Sequence, residues 1–358
     1  MKKIYVTTKI VEDYLPKDFG GIREEKTACV VRYGGFGDMI QASSLFPVLK
    51  EMGYRVCVNT TEIGNSLLLN NPYVDELIVQ NDNQISNFSL GEYWEKMSLC
   101  FDKFIQLSES IEGTLLLNPK RTIEIDGRPH VVEGCEEYDW PKERIHELCN
   151  KNYLEETHRI AGIDFKHAPF YYPSSLEKRW AKKTRKKIKT KNVVMVVLSG
   201  SSVHKVYPWI DNVIATLLLK RKDVSIITMG DEICQLLEAG WENEPRVITK
   251  SGKWSITKTL SFLPHCDVIV GPETGLLNAA SAMKNHKCVF LSHSSKENLT
   301  KHWKNTTSME PDDCPCFPCH KLHFGFATCN RDKETGASLC AANIDHLKVA
   351  QDILRNLK

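Results

Sequence analysis

The sequence predicts an α/β protein made of two Rossmann-like domains that face each other across a cleft. At 358 residues the chain exceeds a usual single domain, so two domains are expected. Short apolar runs alternate with segments of helical periodicity in two series, and a basic stretch at 178–191 separates them. Because ligands bind at the carboxyl ends of parallel strands, the site is expected between the two domains.

The first series predicts a parallel sheet. An apolar run at 28–32 meets the glycine loop 33–37, and residues 39–52 then have helical periodicity. A strand at 55–59, a helix at 62–70 and a strand at 76–79 follow, with a further helix at 143–162. The first domain is therefore predicted to span 1–177.

The second series starts after the basic stretch 178–191, which is interpreted as a linker. Strands are predicted at 192–198, 224–229, 247–248, 268–270 and 288–291, and helices at 210–220, 233–239, 254–263 and 274–283. The second domain is predicted to span 192–343 and to include a Cys-rich loop at 314–340. A C-terminal helix at 344–358 completes the chain.

The glycine loop Tyr33-Gly-Gly-Phe-Gly-Asp38 follows the first strand. Gly35 and Gly37 let the backbone turn tightly and come close to a ligand, and the next helix offers unpaired amides at its start. Asp38 has two interpretations, an N-cap for a helix that begins at Met39 or a general base. Both roles are compatible with each other.

The segment Gly271-Pro-Glu-Thr-Gly-Leu-Leu-Asn278 is more specific. A buried strand runs through a Gly-Pro turn into an alanine-rich helix, whose first amides suit a phosphate. Thr274 adds a hydroxyl, and Gly275 has no side chain to block the approach. The alternative is a capping motif that binds no ligand.

These segments resemble the lipopolysaccharide heptosyltransferase family, glycosyltransferase family nine, which has the GT-B fold. The matching residues are Gly37-Asp38 with Pro47 in the first helix, Ser199-Gly-Ser-Ser-Val-His-Lys-Val-Tyr-Pro208, and Glu273-Thr-Gly-Leu-Leu-Asn278. They occur in the family's order across about 300 residues. The resemblance implies a glycosyltransferase that moves a sugar from a nucleotide-sugar donor, ADP-heptose-like in the family, to an acceptor hydroxyl, with inversion.

The resemblance also implies roles for individual residues. Asp38 would be the base, and Thr274, Gly275 and Leu276 would supply amides to the donor diphosphate. That diphosphate would also be held by Ser201, Ser202 and Lys205, while Gly230 and Glu232 would border the nucleoside. Positive charge and amide dipoles can stabilise the leaving group, so no cofactor or metal is expected for catalysis.

Two positions depart from the family pattern. Glu273 stands where the family has an aspartate that faces the donor sugar, and Asn278 stands where it has a histidine. The longer carboxylate changes which sugar hydroxyls can be bound. The two departures leave open whether the donor sugar is a heptose, whereas the phosphate contacts would be unchanged.

Five of the thirteen cysteines lie between Cys314 and Cys340, and the other eight are expected to be reduced core thiols. The pair Cys316 and Cys319, with two later thiols, is compatible with a structural Zn²⁺. The ligands would be Cys316, Cys319, Cys329 and Cys340, with His320 or Cys314 as substitutes. Disulfides and plain reduced thiols are the alternatives.

The overall composition is that of a soluble globular protein, with 42% hydrophobic residues, 26% charged residues and a net charge of +2. No run is apolar enough to span a membrane, and residues 1–18 lack the apolar centre of a signal peptide. A cytoplasmic location is therefore expected. Peripheral association with the inner face of a membrane is compatible with it.

The basic stretch 178–191 carries nine cations and no acid. It is interpreted as a solvated linker or helix face, or as a surface that attracts a polyanionic acceptor. The acceptor would then be a saccharide or lipid-linked glycan, or hydroxymethylated bases of DNA as for some phage enzymes. A nucleotide-sugar-binding protein without turnover is the rival from another class.

Overall fold

A computed structural model describes residues 2–5, 25–80, 85–86, 89–108, 114–125, 127–166 and 168–358. Cα packing divides the chain into two compact units: unit 1 is Met1–Ser110 with Leu154–Tyr172, and unit 2 is Ile111–Tyr153 with Pro173–Lys358. Most of the segment 1–18, which lacks the apolar centre of a signal peptide, lies outside the described residues. Among the described helices, none combines the length and the apolar character needed to cross a bilayer.

Unit 1 contains a parallel sheet. Its strands are β1 (Lys2–Tyr5), β2 (Thr27–Val31), β3 (Arg55–Thr61), β4 (Glu76–Gln80) and β5 (Lys103–Gln106), in the order β1-β4-β3-β2-β5. Its helices are α1 (Phe36–Ala42), α2 (Leu45–Glu51), α3 (Glu62–Leu68), α4 (Leu90–Ser98) and, later in the chain, α6 (Tyr153–Ala161). Residues 28–31 of β2 are fully buried, as the apolar run predicts.

Unit 2 contains a second parallel sheet. Its strands are β8 (Asn192–Val197), β9 (Val224–Met229), β10 (Val247–Thr249), β11 (Val268–Pro272), β12 (His286–Phe290) and β13 (Thr306–Met309). They lie in the order β10-β9-β8-β11-β12-β13, which is the 3-2-1-4-5-6 order of a dinucleotide-binding sheet. Every residue of β8, β9 and β11 is buried, as expected for strands covered on both faces.

The remaining elements of unit 2 cover this sheet or carry its loops. A hairpin joins β6 (Arg121–Ile125) to β7 (Arg128–Val132). The helices are α5 (Lys142–Cys149), α7 (Ser175–Lys187), α8 (Ile210–Lys220), α9 (Ile256–Phe262), α10 (Gly275–Ala280), α11 (Leu339–Ala342) and α12 (His346–Asn356). The main core joins strands β8 and β11 to α8 and to the C-terminal α12, through residues such as Val196, Val270, Leu217 and Ile353.

The structure divides the chain at other points than the predicted boundaries. Residues 111–153 belong to unit 2, and much of the predicted linker 178–191 is helix α7 of that unit. A capping box starts α7, because the Ser174 side chain accepts from the Glu177 amide at 3.2 Å and the Ser174 amide donates to the Glu177 carboxylate at 2.7 Å. Ala181 is fully buried, which packs the helix on unit 2.

Two predicted helices are each broken in two. The predicted helix 143–162 separates into α5 and α6: α5 ends at Cys149, because the backbone of Asn150 (φ −76°, ψ 52°) leaves the helical conformation. The Asn152 side chain then donates to the Glu297 carbonyl at 3.0 Å. The predicted helix from Met39 starts earlier, at Phe36, and is interrupted before α2 begins at Leu45. Pro47 lies in the first turn of α2, where its missing N–H costs nothing.

Candidate functional site

Two loops of unit 2 meet where the strand order reverses. The β8 loop (198–205) and the β11 loop (273–275) follow the carboxyl ends of neighbouring strands, which is the position where such sheets bind ligands. The two loops touch at Gly200. A Cβ on Gly200 would lie 2.7 Å from Lys205 Cδ and 3.0 Å from Thr274 Cγ2, so the glycine permits this close approach.

The β8 loop brings three of the predicted donor-binding residues to this point. Ser201 is exposed, Ser202 is buried, and a short 3₁₀ turn over Val203–Lys205 follows. The Lys205 amide donates to the Ser202 carbonyl at 2.9 Å, which closes the turn. The Lys205 ammonium is close enough to the Glu273 carboxyl to help lower the pKa of that group.

The β11 loop carries the predicted phosphate-binding residues. Thr274 has extended backbone and precedes α10, which begins at Gly275. The Thr274 Oγ1 and Asn278 Oδ1 atoms are buried and have no hydrogen-bond partner within the described part of the chain. Since buried polar atoms are normally paired, these two atoms mark a place suited to a polar ligand. Leu276 packs inward and can contribute only its backbone.

Glu273 is buried and its carboxylate is already engaged. Oε1 accepts from the Ser292 amide, from the Ser292 hydroxyl at 3.1 Å and from the Ser294 amide at 3.3 Å. Oε2 lies 2.9 Å from Nδ1 of His293. Burial raises the pKa of Glu273, but the charge and hydrogen bond of His293, the charge of Lys205 and the Ser292 amide outweigh it, and the pKa is lowered. The carboxylate therefore holds the loop 292–294 in place.

His204 lies beside this group. Its ring is 4.8 Å from the ring of His293 and 5.5 Å from that of His323, and both of its nitrogens are buried without a partner among the described residues. Burial lowers the pKa of His204 strongly, and the neighbouring charges of His293 and Lys205 lower it further. A neutral imidazole is therefore expected there.

Gly230 and Glu232 follow β9, the strand next to β8. A Cβ on Gly230 would lie 2.4 Å from the Cys234 side chain, so only glycine fits. Glu232 is exposed. The two residues are thus at the same edge of the sheet as the β8 loop, as the predicted nucleoside contact requires.

Asp38 lies in unit 1, in the first turn of α1, whose N-cap is Gly35; the expected N-cap role of Asp38 is therefore wrong. Its carboxylate accepts from the Gly35 amide at 2.9 Å and pairs with Arg32 Nη2 at 3.0 Å. Gly34 has a φ of 108°, and a Cβ there would lie 3.0 Å from Asp38 Oδ2. The loop thus wraps over a carboxylate whose side chain stays 37% exposed. Gly37 lies within α1.

The four predicted metal ligands line one cavity of unit 2, about 260 Å³ in volume. These are Cys316, Cys319, Cys329 and Cys340, and the cavity walls also include Lys142, His204, His293 and His323. Within the described residues, no three metal-ligating side chains converge as a metal site. All thirteen cysteines are free thiols, so the structure contains none of the expected alternative disulfides.

The thiols around the cavity are held in different environments. Cys314 Sγ lies 3.5 Å from Cys316 Sγ, and the Cys314 thiol lowers the pKa of Cys316 to about 6. Burial raises the pKa of Cys329 to about 12 and that of Cys340 to about 11. Of the two proposed substitutes, His320 is fully buried and its Nε2 contacts His146 Nδ1 at 3.1 Å.

The histidines of this region were not predicted as site residues from the sequence. His293 lies three residues after the end of β12, and the carboxyl end of a parallel strand is a signal that could have identified it. His204 stands inside the β8 loop motif that the sequence analysis did single out. His323 comes to the cavity only through the tertiary path of the Cys-rich loop, for which the sequence has no periodicity.

No protein-family model matches the chain, and a search of curated proteins finds no match. Solved structures, in contrast, are similar in fold. The ADP-heptose lipopolysaccharide heptosyltransferase II of E. coli superposes with a TM-score of 0.61 at 13% identity, over 92% of this chain and 98% of its own. A family 9 glycosyl transferase of Veillonella parvula has a TM-score of 0.64 at 12% identity, over 94% and 98%.

A third similar structure is the dodecameric iron-containing heptosyltransferase TibC, from enterotoxigenic E. coli, in complex with ADP-D-β-D-heptose. It has a TM-score of 0.57 at 13% identity, over 93% of this chain and 78% of its own. At these identities the likeness concerns the fold. The chain therefore has the two-Rossmann GT-B fold that is found in the heptosyltransferases and in family 9 glycosyltransferases.

Proposed function

We propose that the protein is a glycosyltransferase that moves a sugar from a nucleotide-sugar donor to an acceptor hydroxyl. The observation that carries this proposal is the meeting of the β8 and β11 loops at the switch point of the unit 2 sheet. There, one cation, Lys205, lies near the unpaired hydroxyl of Thr274 and the first amides of α10. This combination suits a diphosphate.

The donor is assigned to unit 2. Ser201, Ser202 and Lys205 bind the diphosphate from one loop, and the amides of Thr274, Gly275 and Leu276 bind it from the other. Gly230 and Glu232 border the nucleoside. One of the similar structures was solved with ADP-D-β-D-heptose, which supports an ADP-heptose-like donor.

Asp38 is assigned as the general base. It takes the proton of the acceptor hydroxyl while that oxygen attacks the anomeric carbon, and the bond from this carbon to the diphosphate oxygen breaks with inversion. Arg32 pairs with the carboxylate and fixes its position. Lys205 and the loop amides stabilise the charge that develops on the diphosphate, so the step needs no metal.

Sugar choice is assigned to Asn278 and, indirectly, to Glu273. The amide oxygen of Asn278 is unpaired and can accept from a sugar hydroxyl. The carboxylate of Glu273 is occupied by Ser292, His293 and Ser294, so it acts on the sugar by placing this loop. The acceptor is a saccharide or lipid-linked glycan, and the protein works at the inner face of a membrane.

The assignment is tested with Asp38→Asn and Lys205→Met. Asp38→Asn is expected to lose transfer and keep nucleotide binding, measured by titration calorimetry, whereas Lys205→Met weakens binding about tenfold or more, since a hydrogen-bonded charge contributes about 1.5–3 kcal/mol. Lys333→Met, at an exposed lysine, is the matched control. Full transfer by Asp38→Asn, or equal binding losses in both lysine variants, would contradict the roles.

A binding protein without turnover is the competing function. Slow hydrolysis of the donor in the absence of acceptor, followed as free nucleotide, distinguishes an enzyme from a binder. A DNA acceptor has no support from the similar structures, and the aromatic residue of the basic segment, Trp180, packs against Trp254 with ring centroids 4.9 Å apart.

We also propose a structural metal in the Cys-rich loop. Cys316, Cys319, Cys329 and Cys340 line one cavity, but within the described residues they do not converge as a metal site, so the Cys-rich loop would have to draw them together on binding. Four thiolates suit Zn²⁺ or iron. One similar protein is described as iron-containing, so both metals are to be measured. When bound, the metal would tie the loop together. Metal analysis of the purified chain should find one metal ion per chain, and a chelator should lower the melting temperature. A chain that contains no metal and melts at the same temperature with and without the chelator would refute the site.

A further inference from the structure

Helix α7 presents a continuous cationic face. Lys178, Lys182 and Lys186 form one row at i, i+4 spacing, and Arg179, Lys183 and Lys187 form a second row beside it. All six residues are exposed, and none of them forms an ion pair with an acid within the described ranges of the chain. Each row covers about 12 Å along the helix axis.

The opposite side of α7 is anchored to unit 2. Ala181 is fully buried, and the Trp180 ring packs edge-on against Trp254 at 4.9 Å and Phe262 at 6.4 Å. Arg185 is also committed, since its guanidinium donates to the carbonyls of 188, 190 and 191. The cationic face is therefore a fixed surface of a folded unit.

This arrangement does not serve the stability of the helix. Like charges at i, i+4 repel each other, and cations in the first turn oppose the helix dipole. Lys178 lies in that first turn, whereas of the six cations only Lys186 and Lys187, in the last turn, are favoured by the dipole. The six cations therefore do not stabilise α7 and are available to an external anion.

The positive charge is local to this surface. Without the nine cations of 178–191, the rest of the chain would have a net charge of −7, whereas the whole chain has +2. Lys258 extends the face, because its ammonium lies 5.7 Å from the Trp180 ring and the residue is exposed. Such a distribution orients the protein toward a negatively charged surface.

We propose that the outer face of α7 docks the protein on an anionic lipid bilayer. Six cations in two rows match a plane of phosphate headgroups, and Leu176, which is 70% exposed at the start of the helix, can enter the boundary of the acyl region. Nucleic acid fits less well, because the aromatic ring of the helix is packed inward and cannot stack on bases. The docking is independent of the proposed transfer reaction.

The test is sedimentation of the full chain with vesicles of phosphatidylcholine alone or with a third of phosphatidylglycerol. Binding is expected only to the anionic vesicles and is lost at high salt, since the Debye length shortens to about 3 Å at 1 M. Lys182→Gln, Lys183→Gln and Lys186→Gln together should weaken partitioning about a hundredfold, or roughly fivefold per cation.

The matched control removes three exposed lysines of unit 2 elsewhere, with Lys220→Gln, Lys222→Gln and Lys333→Gln. It has the same change in net charge and should bind within about twofold of the natural chain, since these cations do not face the bilayer. Three outcomes would each overturn the proposal. They are equal losses of vesicle binding in both triple variants, vesicle binding that high salt does not weaken, and binding to duplex DNA without binding to anionic vesicles. Thermal melting confirms that both variants are folded.

Discussion

The most informative perturbation is Glu273→Gln, because it asks whether this carboxylate holds the loop 292–294 or is free to meet a sugar. Three donors from Ser292 and Ser294 converge on Oε1, and His293 pairs with Oε2. Hydrogen bonds to a charged acceptor contribute about 1.5–3 kcal/mol and neutral ones about 0.5–1.5 kcal/mol, so each bond weakens by about 1 kcal/mol. The expected loss in the free energy of unfolding is about 2–3 kcal/mol, after relief of the desolvation cost.

The assay is urea unfolding followed by tryptophan fluorescence, since six of the seven tryptophans lie in unit 2. The slope with urea should be unchanged, and the midpoint should fall. Glu334→Gln makes the same chemical change at an exposed position and should stay within about 0.5 kcal/mol of the natural chain. If Glu273→Gln also stays within that range, the carboxylate does not hold the loop.

The pH dependence gives an independent check on the same residue. Because the folded state lowers the pKa of Glu273 from its ordinary value of 4.5, its contribution to stability is complete above pH 4.5. The contribution is lost as the pH falls through the folded pKa. The difference in stability between the natural chain and Glu273→Gln should therefore shrink below pH 4.5, and a constant difference down to acid unfolding would contradict the ion pair.

Two further changes test the packing of unit 2. Gly200→Ala should lower the free energy of unfolding by about 1–3 kcal/mol, because the new Cβ meets Lys205 and Thr274. It should also weaken donor binding, measured by calorimetry. Unchanged donor binding would show that the two loops do not act together. Lys287 is fully buried, and burial followed by the charge of Lys304 lowers its pKa to about 8, so the unfolded state binds more protons between pH 8 and 10.5. The stability of the natural chain relative to Lys287→Met should rise by about 3 kcal/mol over that interval in urea titrations, and a flat difference would refute the shift.

Much of the fold could be predicted because its strands are buried on both faces. Strands such as β8 and β11 are continuous apolar runs, and the polar turns after them mark the carboxyl edge of the sheet. The order of the matching motifs then indicated the GT-B fold, which the similar structures confirm. Some helix boundaries were wrong, since α5 ends at Cys149 within the predicted helix 143–162 and the Asn152 side chain donates to the carbonyl of the distant Glu297.

The sequence placed two loops of the candidate site at strand ends, and the roles of their residues stay predictions. The loops around Lys205 and Thr274 were predicted, because small residues that follow a strand and precede a helix allow the backbone amides to approach an anion. The engagement of Glu273 with His293 was not, since the two residues belong to different loops and no local pattern relates them. The capping box at Ser174 was overlooked, and with it the folded character of the basic segment.

The sequence by itself determined which segments alternate as strand and helix and where the glycine and serine turns fall. The shared metal of the four cysteines of 314–340 stays a prediction. Only the tertiary structure decided which loops meet at the switch point and that the Glu273 carboxylate is hydrogen-bonded by the loop 292–294. It also decided that six cations of 178–191 form one outer face of α7. The reason is physical. Periodicity and turn chemistry are local properties of the chain, whereas the pairing of buried charges and the exposure of a helix face depend on contacts between residues far apart in sequence.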